Sequence, residues 1–158
     1  MPGKKRKIFE TIVCYYICAL IICFLDQALK ACVKMLVTEG SSISVIDRFF
    51  YVTLVHNKGT AFGLFNRYPY LFAGITACVV VFIIYFLARK KQVLNVYEKI
   101  SLCFILGGAG GNLIDRIRYG YVIDFIDFRI WPVFNLADSF ITCGAVILIF
   151  SMLFKKEH

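Results

Sequence analysis

Polar side chains set in strongly apolar surroundings are the residues of this chain most able to do chemistry, because such groups are costly near lipid unless something uses or pairs them. Asp26 and Lys30 stand four apart with the acid first, the favourable order for a helical ion pair, and the spacing predicts a pair that fixes a helix end at the membrane interface. Asn112, Asp115 and Arg116 follow one another at i, i+3 and i+4, so all three project from one side of a helix as a polar network supporting a site. Asp124 lies in a β-prone run, 121–129, where alternation puts it on one face with Val122 and Ile126 and leaves Asp127 and Arg129 on the other. That face sets its carboxyl among apolar neighbours; the alternative is a plain surface carboxylate. Asn135, with Asp138 three residues on, reads as a helix N-cap whose first turn favours an acid. Capping and catalysis are both open readings of Asp138.

Other chemistries lack their parts. His56 and His158 are the only histidines and no His-Glu-x-x-His run exists, so a zinc peptidase has no ligand set. Ser41, Ser42, Ser44 or Ser139 with Lys30 or Lys58 would make a Ser-Lys pair, but no nucleophile motif surrounds them. The seven cysteines, an odd number without a Cys-x-x-Cys pair, read as small apolar core residues.

The elements that must position these groups follow from composition. Of 158 residues, 60% are hydrophobic and 18% charged, with a mean hydropathy of +0.76, more apolar side chain than a small soluble core buries. About 20 apolar residues cross a bilayer as a helix, and four such runs are predicted at about 8–29, 70–88, 96–114 and 136–154. Lys4, Lys5, Arg6 and Lys7 precede the first run, which has no small-x-small cleavage site and is read as a retained anchor. With Arg89, Lys90, Lys91, Lys99, Lys155 and Lys156 they predict both termini in the cytoplasm. The net charge of +8 is then membrane anchoring; no basic face for nucleic acid is visible.

The segments 31–69 and 115–132 fall on the opposite side. In the first, 42–46 and 49–56 are rich in β-branched and aromatic residues between Gly40-Ser41 and Asn57-Lys58-Gly59, a strand, turn and strand that would rest on the bilayer. Gly107, Gly108, Gly110 and Gly111 contain a small-xxx-small pattern that lets a neighbouring helix approach closely. Nothing divides the chain, which is read as a single domain, residues 1–158.

Five motifs stand in order: Asp26-x-x-x-Lys30, Asn57-x-Gly59-x-Ala61-Phe62, Gly107-Gly108-x-x-Gly111-Asn112-x-x-Asp115-Arg116, Val122-x-Asp124-Phe125 and Asn135-x-Ala137-Asp138. With them the chain resembles the lipoprotein signal peptidase family, signal peptidase II. The likeness runs from about Phe24 to the end of the fourth span. It implies an all-α polytopic membrane protein of four transmembrane helices with a small extracytoplasmic β-cradle. It also implies an aspartic endopeptidase that cuts bacterial prolipoproteins just before their diacylglyceryl-modified cysteine, and it needs no metal or organic cofactor. Its partners would be the lipid-modified prolipoprotein and membrane lipids, without nucleic acid, and the enzyme would be a monomer. By the same resemblance Asp124 and Asp138 are the catalytic pair. Asn57, Asn112, Asp115, Arg116 and Asn135, with Gly59 and Gly108 in the same motifs, form the supporting or substrate-binding set, and Asp26 and Lys30 match the family's structural acid and base. Thr60 departs from the alanine more common after the glycine.

Two carboxylates held close share one proton, so the ionised one can take a proton from water while the other donates to the developing oxyanion. The helix dipole favours ionised Asp138 and apolar neighbours favour neutral Asp124, which makes Asp138 the expected base. The rival reading is a small ion-coupled transporter using interfacial aspartates, weakened because none of them maps to the midplane. A purely structural subunit is a third reading, disfavoured by the polar residues gathered on one side.

Overall fold

The structure is a computed structural model. It describes residues 2–59, 69–90 and 94–154, the side chains of 2–12, 69 and 90 excepted. The elements run α1 (Pro2–Leu36), β1 (Ser42–Ile46), β2 (Phe50–Asn57), α2 (Pro69–Lys90), α3 (Val96–Tyr119), β3 (Val122–Asp127) and α4 (Leu136–Leu153). Four stretches, Val13–Leu36, Tyr70–Arg89, Val96–Tyr119 and Leu136–Leu153, are long and apolar enough to cross a membrane.

Two of the predicted spans come out too short. α1 continues past residue 29 because Ala31 to Leu36 offers no helix breaker, and the chain turns only near Gly40, whose φ is +76°. α3 continues past residue 114 to Gly120, which closes it in the left-handed conformation with its N–H donating to Arg116 O at 3.1 Å. Asp115 and Arg116 therefore lie on the helix with Asn112, as their spacing implies, beyond the predicted end of the span. At its other end α3 opens with a capping box, Asn95 and Glu98 each accepting the other's backbone N–H.

The three strands form one antiparallel sheet in the order β1-β2-β3. The strand–turn–strand signature gives β1 and β2; that the later run joins them as the third strand is a long-range pairing without a local signal. Val55 stands opposite Asp124, and Asn57 opposite Val122. Phe134 bridges to Ile126, its N–H donating to Ile126 O at 3.1 Å, which ties the start of α4 to β3 and brings Asn135 beside Asp124.

One stripe of α1 shows how the molecule is layered. Ala19 and Ile22 sit in an apolar cluster with Ile83, Leu87, Leu102, Cys103 and Leu106, while Val33 and Val37 sit in a second with Leu54, Ile123 and Phe125 beneath the sheet. Between them, at the same three- and four-residue spacing, come Asp26 and Lys30. The membrane-spanning core is thus interrupted by a buried polar layer at the level of Asn112, Asp115 and Asn135. The cysteines contradict the expectation of core positions: Cys103 is buried, but Cys14, Cys32, Cys78 and Cys143 are exposed on helix faces, where lipid takes the place of a core. Of the basic residues used to orient the chain, Lys91, Lys155 and Lys156 and the side chains of Lys4, Lys5, Arg6, Lys7 and Lys90 lie outside the described set.

Candidate active site

Asp124 leaves the middle of β3 and is 1% exposed. Its Oδ2 accepts from Asn57 Nδ2 at 2.8 Å and its Oδ1 from Asn135 Nδ2 at 2.6 Å. Neither amide is free to turn over. Asn57 Oδ1 accepts the N–H of Gly59 at 2.9 Å, and Asn135 Oδ1 accepts the N–H of Asp138 at 2.8 Å, so both side chains present their NH₂ groups to Asp124. Gly59 permits the first of these turns through its φ of +91°, and an added Cβ would meet the Phe72 ring at 3.0 Å.

Asp138 is the third residue of the α4 capping box, its Oδ2 accepting from Asn135 N at 3.4 Å. Its Oδ1 accepts from Asn112 Nδ2 at 2.7 Å. The capping reading of Asp138 therefore holds as geometry, and it leaves the carboxylate pointing at the same amide network as Asp124. Asn135 joins the two acids: its side-chain NH₂ binds Asp124, its backbone N–H faces Asp138, and Nδ2 also lies 3.1 Å from Asn112 Oδ1.

Burial pushes Asp124 up to about 7, the Asn57 hydrogen bond opposes the rise, the negative charge of Asp138 adds to it, and Asn135 and Lys30 offset part of it. At neutral pH Asp124 is thus poised between its neutral and ionised forms.

Beneath lies an ion cluster. Lys30 Nζ is 2.7 Å from Asp26 Oδ2 and 2.8 Å from Asp115 Oδ2, and it donates to Asn112 Oδ1 at 3.0 Å. The expected pair at a helix end is corrected here: Asp26 and Lys30 are fully buried in the bundle. Asp26 Oδ1 accepts the N–H of Ala137 at 2.9 Å and Asp115 Oδ2 that of Ile123 at 3.1 Å, so the cluster seats the first turn of α4 and the start of β3. Gln27 completes it, donating to Asp115 Oδ1 at 2.8 Å and Gly111 O at 3.1 Å. The sequence reading passed over Gln27, although an amide inside an apolar run was a usable signal. Thr76 was also missed; Arg116 Nη1 lies 3.5 Å from its Oγ1 and 3.4 Å from Asn112 O, and a threonine in an apolar helix carries no such signal.

The acids open onto different spaces. Asp124, Arg116, Asn57 and Gly59 line a cavity of about 430 Å³, and Asp138 lines a larger apolar one of about 630 Å³. Gly108 allows this closeness, since a Cβ there would run into Ala137 O and lie 2.8 Å from Ile141. Among the described residues no cluster of His, Cys, Asp and Glu has the make-up of a metal site. Thr60, Ala61 and Phe62 lie outside the described residues.

Residues 18–154 match the family model described as signal peptidase (SPase) II. The chain belongs to the signal peptidase II family. Members are peptidases, and a lipoprotein signal peptidase of Pelotomaculum thermopropionicum is 44% identical over 140 residues, 87% of this chain and 90% of the relative. One from Halothermothrix orenii is 46% identical over 136 residues, 85% of this chain and 91% of the relative. The fold is similar to that of a solved bacterial membrane enzyme, with a TM-score of 0.80 at 30% identity, covering 91% of this chain and 92% of that one. This signal peptidase II family member is accordingly a bacterial membrane protein of four spanning helices and a small antiparallel sheet. The carrier reading has no support from these relatives.

Proposed function

We propose that this protein removes signal peptides from diacylglyceryl-modified prolipoproteins, cutting before the lipidated cysteine, with Asp124 and Asp138 as its catalytic pair. The observation that carries the assignment is Asn135, one residue bonded to both carboxyls, beside an Asp124 held near neutrality at about pH 7. Asp138, in the first turn of α4, serves as the base and takes a proton from the attacking water. Asp124, protonated, gives its proton to the scissile carbonyl oxygen as the tetrahedral intermediate forms. Asp138, now carrying the proton from water, then protonates the departing amine as the carbonyl re-forms and returns the oxygen's proton to Asp124.

Arg116 shares the cavity of Asp124 and is suited to hold substrate carbonyls there. Asn57, Asn112 and Asn135 fix the carboxyls, Gly59 and Gly108 give the backbone room, and Asp26, Lys30 and Asp115 form the support below. The reading includes both termini in the cytoplasm and the site at the outer face, from the distribution of Lys and Arg. It also includes a single-domain enzyme acting as a monomer, without cofactor or nucleic acid. Purified protein in detergent mixed with a diacylglyceryl-modified prolipoprotein should release the signal peptide. Intact precursor after incubation in lipid conditions that keep the protein folded would refute the reading.

A further inference from the structure

We infer that the protein binds one anionic phospholipid of the bilayer leaflet on the sheet side, with an acyl chain between α1, α2 and α3 and the phosphate at Lys34 and Arg118. A cavity of about 280 Å³ lies between these helices, lined by Leu20 and Cys23 of α1, Val80 and Ile84 of α2, and Leu106 and Gly110 of α3. It shares no lining residue with the space at either aspartate, and all its lining residues lie within membrane-spanning stretches. The one hydroxyl in the lining, that of Tyr16, is already donated to Ile84 O at 3.1 Å. No strong hydrogen-bonding group is left over, so the fitting occupant is hydrocarbon. A further helix is too large for the space, since a diameter of about 10 Å fills roughly 400 Å³ per turn. A single acyl chain is the slimmer apolar occupant that a bilayer supplies.

Gly110 differs from its neighbours in a way that fits this role. A Cβ on Gly107, Gly108 or Gly111 would run into α1 or α4, whereas one on Gly110 would meet only Cys23, at 3.6 Å. Its missing side chain therefore opens the cavity and is not required by helix contact. Above the cavity both walls lead to a cation. The α1 face of Leu20 and Cys23 returns at Lys34, three turns and about 16 Å beyond Cys23, which is about the hydrocarbon depth of one leaflet. The α3 face of Leu106 and Gly110 continues to Ile117, which is exposed and adjoins Arg118. Lys34 Nζ lies 4.1 Å from the centre of the Tyr119 ring, and the Arg118 guanidinium 5.6 Å from the same centre. One ring thus gathers two exposed cations at the sheet-side end of the groove. Neither has a carboxylate partner among the described residues, whose ion pairs are made elsewhere. Two unpaired cations at headgroup level favour a lipid whose phosphate carries no cation of its own.

Native mass spectrometry of the purified full chain, equilibrated in detergent with equal amounts of phosphatidylglycerol and phosphatidylcholine, tests the site. The wild type should retain one phosphatidylglycerol in preference to phosphatidylcholine by about tenfold. Lys34→Gln with Arg118→Gln should remove the preference, and Gly110→Leu, which fills the groove, should lower retention of both lipids. Melting curves in detergent alone check that each variant is folded. Equal retention of the two lipids by the wild type, a preference that survives in the double variant, or unchanged retention by a folded Gly110→Leu protein would each overturn the inference. A measurement on the wild type needs no variant: phosphatidylglycerol carrying a photoreactive diazirine midway along one acyl chain should label Leu20, Cys23 or Leu106. Labelling confined to residues outside the groove would contradict the site.

Discussion

At the scale of single residues the site depends on amides that cannot turn. Asn135 caps α4 with its carbonyl oxygen, and that commitment obliges its NH₂ to face Asp124; Asn57 is fixed the same way by Gly59. Both donors stabilise ionised Asp124 against the upward push of burial. The sign of the pH dependence follows. On the proposed mechanism activity requires a proton on Asp124, so kcat/KM should fall as pH rises through about 7, and it should fall again on the acid side once the base is protonated. A rate profile flat from neutral to alkaline pH would contradict this. Asn57→Ala removes one of the bonds that hold Asp124 down, so its alkaline limb should move to higher pH while the maximal rate drops. A merely structural role for Asn57 would lower the rate without moving the limb. Asn135→Ala should do more, losing the α4 cap at a cost of about 1 kcal/mol in addition to the bond to Asp124.

At the scale of elements, Asp138 reaches Asn112 because α4 lies close against α3. Gly108→Ala would drive a methyl into Ala137 O, a backbone atom that yields only if α4 moves, so thermal stability and cleavage should both fall. Gly110→Ala is the contrast: its Cβ would lie 3.6 Å from Cys23 Sγ, an ordinary contact, and alanine favours the helix by about 1 kcal/mol. Melting curves and rates of the two variants check this, and equal effects would mean that the close approach at Gly108 is unimportant. Lys30→Met would leave Asp26 and Asp115 buried without their shared cation and should destabilise by about 3–5 kcal/mol, seen as loss of folded protein in detergent. Much of this was legible beforehand. Helical spacing showed that Asn112, Asp115 and Arg116 face one way, and Asn135 with Asp138 announced the start of α4. What periodicity could not show was the depth of Asp26 and Lys30, because burial is set by the helices that close over them. Nor could it show the pairing of β3 with β2, which joins residues some 70 positions apart with no turn to signal it.

At the scale of the whole molecule, two apolar layers enclose one polar layer, and the candidate dyad sits at its edge where the sheet meets α4. A bundle built this way keeps ionisable groups near lipid by bonding them to one another. If the basic clusters orient the chain as expected, fusions after Lys91 and Lys156 should be active only with a cytoplasmic reporter, and a fusion at Gly40 only with an exported one. The reverse pattern would put Asp124 and Asp138 on the wrong side for a substrate cut after export. The central claim is that these two carboxyls act as one unit, and the direct measurement is the single-turnover cleavage rate of a diacylglyceryl-modified prolipoprotein by Asp124→Asn, Asp138→Asn and the double variant, each checked for folded yield. Each single change should lower the rate by at least about 10³-fold, and the double change should be scarcely slower than either one. An Asp138→Asn variant close to wild type, or losses that multiply in the double variant, would contradict the account.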